Sequence, residues 1–135
     1  MDFRHEWKHE INTADMLVLK SRLSAVMKYD SHYPDGTYEI RSLYFDDSKD
    51  TALREKLDGV NKREKFRIRL YNGDSSFICL EKKSKINGLC SKQSVIIDSD
   101  CASRLSKGNF EILKDSGDEL LTEFYVKMRA GLAPK

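Results

Sequence analysis

Apolar and polar residues alternate through "REKFRIRLYN", which puts Arg63, Lys65, Arg67, Arg69 and Tyr71 at every second position. Glu64, Phe66, Ile68 and Leu70 fall between them. A period of two is that of a β-strand, whose successive side chains point to opposite faces. The segment predicts one face packed on a core and one face carrying a ladder of cations. The same alternation runs through Phe3 to Ile11, predicting a strand with Phe3, His5, Trp7, His9 and Ile11 on one side and Arg4, Glu6, Lys8 and Glu10 on the other. Asn12 or Thr13 then caps a helix with Asp15 in its first turn. Its apolar stripe is Met16, Leu19, Leu23, Val26 and Met27, and it runs to about Tyr29, ahead of the turn-rich "SHYPDG".

Thr37 to Phe45 reads as a second strand, and "DDSKD" opens a short helix that ends near Leu57. The cationic strand follows. Asn72-Gly73-Asp74-Ser75 is turn chemistry, so the strand from Ser76 to Lys85, "SFICLEKKSK", should return as a hairpin. A loop from Asn72 to Ser76 pairs Tyr71 with Phe77, Arg69 with Cys79, Arg67 with Glu81, Lys65 with Lys83 and Arg63 with Lys85. Leu70, Ile68 and Phe66 then oppose Ile78, Leu80 and Lys82 on the other face. A slip by one residue would mix the faces, which a half-buried sheet resists. Asn87-Gly88 turns the chain into a strand from Ser91 to Ile97, with Lys92, Ser94 and Ile96 on one side. A helix starting at Ser99 or Asp100 ends at Gly108. A last helix spans about Asp118 to Ala130, with Leu121, Phe124, Tyr125 and Met128 on its buried side. Strands in runs with helices at their ends predict an α+β fold with a largely antiparallel sheet.

The chain of 135 residues is one domain's length, and 39% hydrophobic content is enough for one core. No apolar run approaches the ~20 residues that span a membrane, and "MDFRHEWKHE" lacks the apolar stretch of a secretory signal. Cys79, Cys90 and Cys101 are odd in number and form no C-x-x-C pair, which fits a reduced, cytoplasmic chain. A net charge of +2 does not mark a general nucleic-acid binder. The basic character is local.

Cations two apart on a strand face lie ~7 Å from one another and repel by roughly 2 kcal/mol at an effective dielectric near 20. On an open surface water and salt screen this, and the ladder is a solvated face. In an enclosed site it calls for a polyanion, with Arg forks suited to phosphate oxygens and Lys to mobile point charge. Tyr71 is the one aromatic ring predicted on that face, which argues against a base-stacking platform for single-stranded nucleic acid. "HEWKH", His5 to His9, satisfies H-E-x-x-H, but that zinc chemistry needs a helix and the flanks alternate as a strand. The remaining histidine, His32, falls in a turn. Glu6, Lys8 and Glu10 are either a charged edge or carboxylates that hold a divalent metal beside a phosphate chain. Lys83, Lys85 and Lys92 are either a solvated hairpin end or part of the same cationic face.

The segments "RHEWKHEI", "YEIRSLYFDD", "LREKLDG" with "REKFRIRLYN", and "ICLEKKSK" occur in an order that resembles the VTC (vacuolar transporter chaperone) polyphosphate polymerase domain of the CYTH, or triphosphate tunnel metalloenzyme, superfamily. The resemblance is best from Phe3 to Ile97. It implies one domain over 1–135, an α+β fold whose sheet forms part of a triphosphate-tunnel-type barrel, and a C-terminal half of the family domain lying outside the chain. It implies a polymerase that binds ATP and inorganic polyphosphate, transfers the terminal phosphate to the growing chain, and uses Mn2+ or Mg2+. Arg67, Arg69 and Lys83 take the catalytic positions by resemblance, and Lys8, Lys56, Lys85 and Lys92 the phosphate-binding ones. Glu6 and Glu81 are the metal candidates. Arg4 stands where relatives carry the first Glu of an E-x-E-x-K strand, which weakens that metal site. A non-catalytic polyanion-binding half-domain and a triphosphatase of the same superfamily are the alternatives. A homodimer or a partner chain over open sheet edges is expected, in the cytoplasm and near membrane proteins. Arg67→Ala is expected to weaken tripolyphosphate binding with little loss of stability.

Overall fold

A computed structural model describes residues 2–30 and 37–135, so the "SHYPDG" turn and His32 lie outside the described residues. The chain divides into two compact units, one comprising Glu39–Lys135 with the N-terminal residues through His5, the other Glu6–Tyr38.

The larger unit is built on a six-stranded antiparallel sheet in the order β1-β5-β4-β3-β2-β6. The strands are β1 (Arg4–His5), β2 (Ile40–Asp46), β3 (Lys62–Tyr71), β4 (Ile78–Ile86), β5 (Leu89–Ile97) and β6 (Ala133–Pro134). The hairpin register is the one that alternation predicts: Arg69 faces Cys79, Arg67 faces Glu81, Lys65 faces Lys83 and Arg63 faces Lys85. Tyr71 and Phe77 close the loop end with ring centroids 6.4 Å apart. Asn87 and Gly88 both take positive φ, 48° and 84°, as a two-residue hairpin turn requires. They pair Ile86 with Leu89 and so set the register of β5.

The strand expected over Phe3 to Ile11 is limited to Arg4–His5. Arg4 pairs with Cys90 and His5 with Leu89. One residue further along, Glu6 would face Gly88, which belongs to the turn, so β1 runs off the end of its partner. Residues Glu6 to Ile11 are neither strand nor helix, and the i, i+4 geometry that would join His5 to His9 is not formed.

The expected barrel is not formed. The outermost strands, β1 and β6, are not bonded to each other, and each is two residues long. They cover only Leu89–Cys90 of β5 and Phe45–Asp46 of β2. A closed barrel needs unbroken strand pairing around its circumference. The sheet is open, and no triphosphate tunnel encloses its cationic side.

Two helices pack on one face of this sheet, and a third, with no buried residue, is tied to the end of β2. They are α2 (Thr51–Leu57), α3 (Ser99–Ser106) and α4 (Glu119–Arg129), α1 belonging to the other unit; a 3-10 turn spans Glu111–Leu113. Asp98 and Asp118 accept hydrogen bonds from the Cys101 and Leu121 amides and cap α3 and α4. Leu105, Leu113, Leu120, Phe124 and Met128 pack with Phe45, Phe66, Ile68, Ile78, Leu80 and Ile97 in one core. Phe124 is fully buried at its centre, edge-on to Phe45 at 4.9 Å and tilted on Phe66 at 5.2 Å. Lys82 sits on this apolar face and is buried. Its ammonium pairs with Glu64 at 3.2 Å and with Glu123, and lies over the Phe66 ring. Lys127 also reaches Glu64. An ion network under α4 thus neutralises a charge that alternation alone had set among leucines.

In the smaller unit, α1 (Thr13–Ser24) is capped by Asn12, whose side chain accepts from the Asp15 amide at 2.8 Å. It ends before the expected Tyr29, and none of its residues is buried. Among the described residues no helix is long and apolar enough to cross a membrane.

Candidate functional site

The cationic side chains occupy the sheet face opposite α3 and α4, in rows that follow from strand register. Ser42 faces Arg69, which faces Cys79, then Ile96. The next row is Tyr44, Arg67, Glu81 and Ser94. Lys65, Lys83 and Lys92 form the third, and Arg63, Lys85, Cys90 and Arg4 the fourth. Five antiparallel strands thereby convert local alternation into a two-dimensional basic surface.

Lys56 joins it from α2. Asp50 at the start of that helix makes no side-chain cap; Asp46 and Asp47 do so instead. The Asp46 carboxylate accepts from the Ala52 and Leu53 amides at 2.9 and 3.1 Å, and Asp47 from the Thr51 amide at 3.0 Å. These bonds tie α2 to the end of β2. Lys56 lies close enough to Lys65 to disfavour its charge, and Lys83 acts in the same sense. Burial is the largest influence on Lys65 and lowers its pKa; Tyr44 opposes the fall.

Glu81 is 4% exposed on this face. Both Nε and Nη2 of Arg67 donate to its Oε2 at 2.6 Å, and the Lys92 ammonium stands 3.7 Å from Oε1. Arg67 Nη1 donates to the Tyr44 hydroxyl at 3.2 Å. Burial opposes the charge on Arg67, but Tyr44 and Glu81 outweigh it and raise the pKa. The Tyr44 ring carries Lys65 at 5.4 Å and Arg67 at 6.0 Å from its centroid. Hydrogen bonding from Arg67 lowers the Tyr44 pKa; burial opposes this, and the charges of Arg67, Lys65 and Arg69 add to it. Arg69 Nε donates to Ser42 Oγ at 3.2 Å. The ladder's repulsion is therefore relieved by one buried carboxylate and one aromatic ring near two of the cations.

Of the residues expected at a site, Arg67, Arg69, Lys83, Lys85, Lys92 and Glu81 share this face, with Lys56 at its border. Glu6 and Lys8 are not strand residues; they belong to the other unit and pair with each other at 3.7 Å. Arg67 is also a stability residue, because replacing it would leave Glu81 buried without its fork, contrary to the expectation for Arg67→Ala. Tyr44 and Ser42 were not foreseen. Their signal was present in "RSLYFDD", where Ser42 and Tyr44 alternate with Leu43 and Phe45.

A resident metal does not fit these residues. Among the described residues no three His, Cys, Asp or Glu side chains converge on one point. Glu81 is taken by Arg67 and Lys92, whereas hard divalent cations require several oxygen donors. A cavity of about 280 Å3 lies where α2 meets β3, but Glu55 and Glu64 line it together with Lys65 and Lys127, and mixed charge does not select a polyanion.

The sequence pattern of one known family, described as the VTC domain, matches residues 3–135, well beyond the Ile97 boundary of the resemblance. No curated protein matches the chain.

Proposed function

This chain belongs to the VTC-domain family, and from that premise we propose that its cationic sheet face binds the phosphate chains of ATP and inorganic polyphosphate and serves transfer of a terminal phosphate to the growing polymer. One observation carries the reading: three rows of the face hold Arg69, Arg67, Lys65, Lys83 and Lys92, against two carboxylates, Glu81 within them and Asp46 at the end of β2. Asp46, at the edge, is committed to the α2 amides. Phosphoryl transfer is served by positioning and by stabilising charge on the equatorial oxygens, and needs no covalent nucleophile from the protein.

Arg67, Arg69 and Lys83 hold the reacting phosphoryl group. Lys85, Lys92 and Lys56 hold the chain on either side. Mn2+ or Mg2+ accompanies the nucleotide as the counter-ion of its phosphates, and no step requires the protein to ligate it. The uncovered lengths of β2 and β5 are where a second copy or a partner chain would pair. Three free thiols support a cytoplasmic setting, and an association with membrane proteins would come through other chains.

Calorimetric titration with tripolyphosphate tests the binding step. Arg69→Ala is the informative variant, because Arg69 contacts Ser42 and leaves no buried carboxylate behind. It should bind about tenfold more weakly, the loss expected for one charged hydrogen-bonding group. Incubation with ATP and Mn2+ then separates the chemistries. Polymer supports the polymerase, orthophosphate alone indicates a triphosphatase, and binding without turnover indicates a polyanion-binding module. Wild-type chain that ignores tripolyphosphate at low salt overturns the whole reading.

A further inference from the structure

The second row of the face ends in a hydroxyl whose proton has no protein acceptor among the described residues. Tyr44 oxygen accepts from Arg67 Nη1, which leaves the phenolic O–H as a donor. No acceptor takes it among the described residues. Tyr44 is 41% exposed, so its tip is reachable from solvent. Its backbone is held on both sides, by pairing with Arg67 in β3 and by the Lys135 amide at 3.0 Å on the outer edge.

The guanidinium of Arg67 has five N–H donors. Two of them point at Glu81 and one at Tyr44, which leaves two for a ligand. Glu81 and Tyr44 contact it from different sides and fix its plane. The two remaining N–H groups and the Tyr44 O–H are then neighbours with no acceptor among the described residues. A phosphoryl group offers three non-bridging oxygens in the same small volume.

We propose that Tyr44 is a phosphate-binding residue that positions the Arg67 guanidinium and donates its own hydroxyl proton to the phosphoryl group that Arg67 grips. This rests on the reading of the face as a phosphate-chain site. The ring has a second effect: with Lys65 and Arg67 both within 6.0 Å of its centroid, it offsets part of the repulsion between two cations that approach the same phosphoryl group. Tyr44 thus belongs to the ligand-binding set although it carries no charge.

The test titrates tripolyphosphate into wild type, Tyr44→Phe, Arg67→Lys and the double variant. Tyr44→Phe keeps the ring and should leave the urea midpoint unchanged, yet bind about tenfold more weakly, equivalent to about 1.4 kcal/mol. Because both residues serve one phosphoryl group, the double variant should lose less than the product of the two single losses. In chain labelled at tyrosine Cζ, the carbon resonance missing from Tyr44→Phe should move when tripolyphosphate is added, a response that a merely structural tyrosine would not give. If wild type binds and Arg69→Ala weakens binding, but Tyr44→Phe binds as wild type does or the resonance stays still, the role of Tyr44 is refuted while the site stands. If wild type itself does not bind, both readings fall together.

Discussion

Replacing Glu81 by Gln keeps the shape of the side chain and removes the carboxylate that stands in the middle of three rows of cations. Glu81 is 5% exposed in its side chain and Arg67 13%, so the pair is largely out of water. At 2.6 Å their gross attraction is about 6 kcal/mol for an effective dielectric near 20, and desolvation of both groups cancels much of it. Removing one partner of a buried pair costs about 3–5 kcal/mol. Gln still accepts a hydrogen bond from Arg67, and Lys92 is 45% exposed and readily hydrated, so a loss of about 2 kcal/mol is expected. Binding should move the other way. A negative charge removed from about 6 Å away stabilises a bound phosphate by roughly 1–3 kcal/mol for dielectrics between 80 and 20. Glu81→Gln should therefore bind tripolyphosphate about tenfold more tightly without metal, and the gain should shrink as salt is added. Stability is read by urea unfolding with far-UV circular dichroism. The lone tryptophan, Trp7, is 79% exposed and lies outside the sheet's unit, so its fluorescence would not report on the sheet. Weaker binding by a variant of unchanged stability would show that Glu81 serves the ligand directly, as a metal-holding carboxylate would, and would refute the reasoning.

Phe124→Ala should cost about 3–5 kcal/mol in the same urea assay, because it empties the space between Phe45 and Phe66. A loss below about 1 kcal/mol would mean that α4 does not close the core. Acid stability should depend on the network under α4. Burial works to raise the pKa of Glu64, but hydrogen bonds and charge from Lys127 and Lys82 outweigh it and hold the carboxyl below the ordinary glutamate range. A group depressed in the folded state contributes its full stability above the unfolded pKa and loses it as pH falls through the folded one. Stability should thus drop below about pH 4.5, and Glu64→Gln should flatten that limb; an unchanged acid profile would place the transition on other carboxylates.

What the sequence determined by itself was local. The period of two in β3 and β4, with turn residues at Asn72-Gly73 and Asn87-Gly88, specifies which side chains share a face and which stand opposite, because a hairpin leaves its register little freedom. The basic face, its pairing and its family resemblance were all legible from that. Tertiary structure decided what depends on residues far apart in the chain. Alternation through Phe3 to Ile11 reads as a strand, yet strand bonds need a partner, and His5 already pairs with Leu89, the first residue of β5. Lys82 looks misplaced on an apolar face until α4 brings Glu123 to it from a distant part of the chain. Glu81 reads equally well as a metal ligand or an ion-pair partner, and the Arg67 fork at 2.6 Å makes it the latter. The open sheet was decided in the same way. Closure depends on whether the outer strands meet, and β1 and β6 end after two residues each, on opposite edges, where no local pattern of alternation could reveal it.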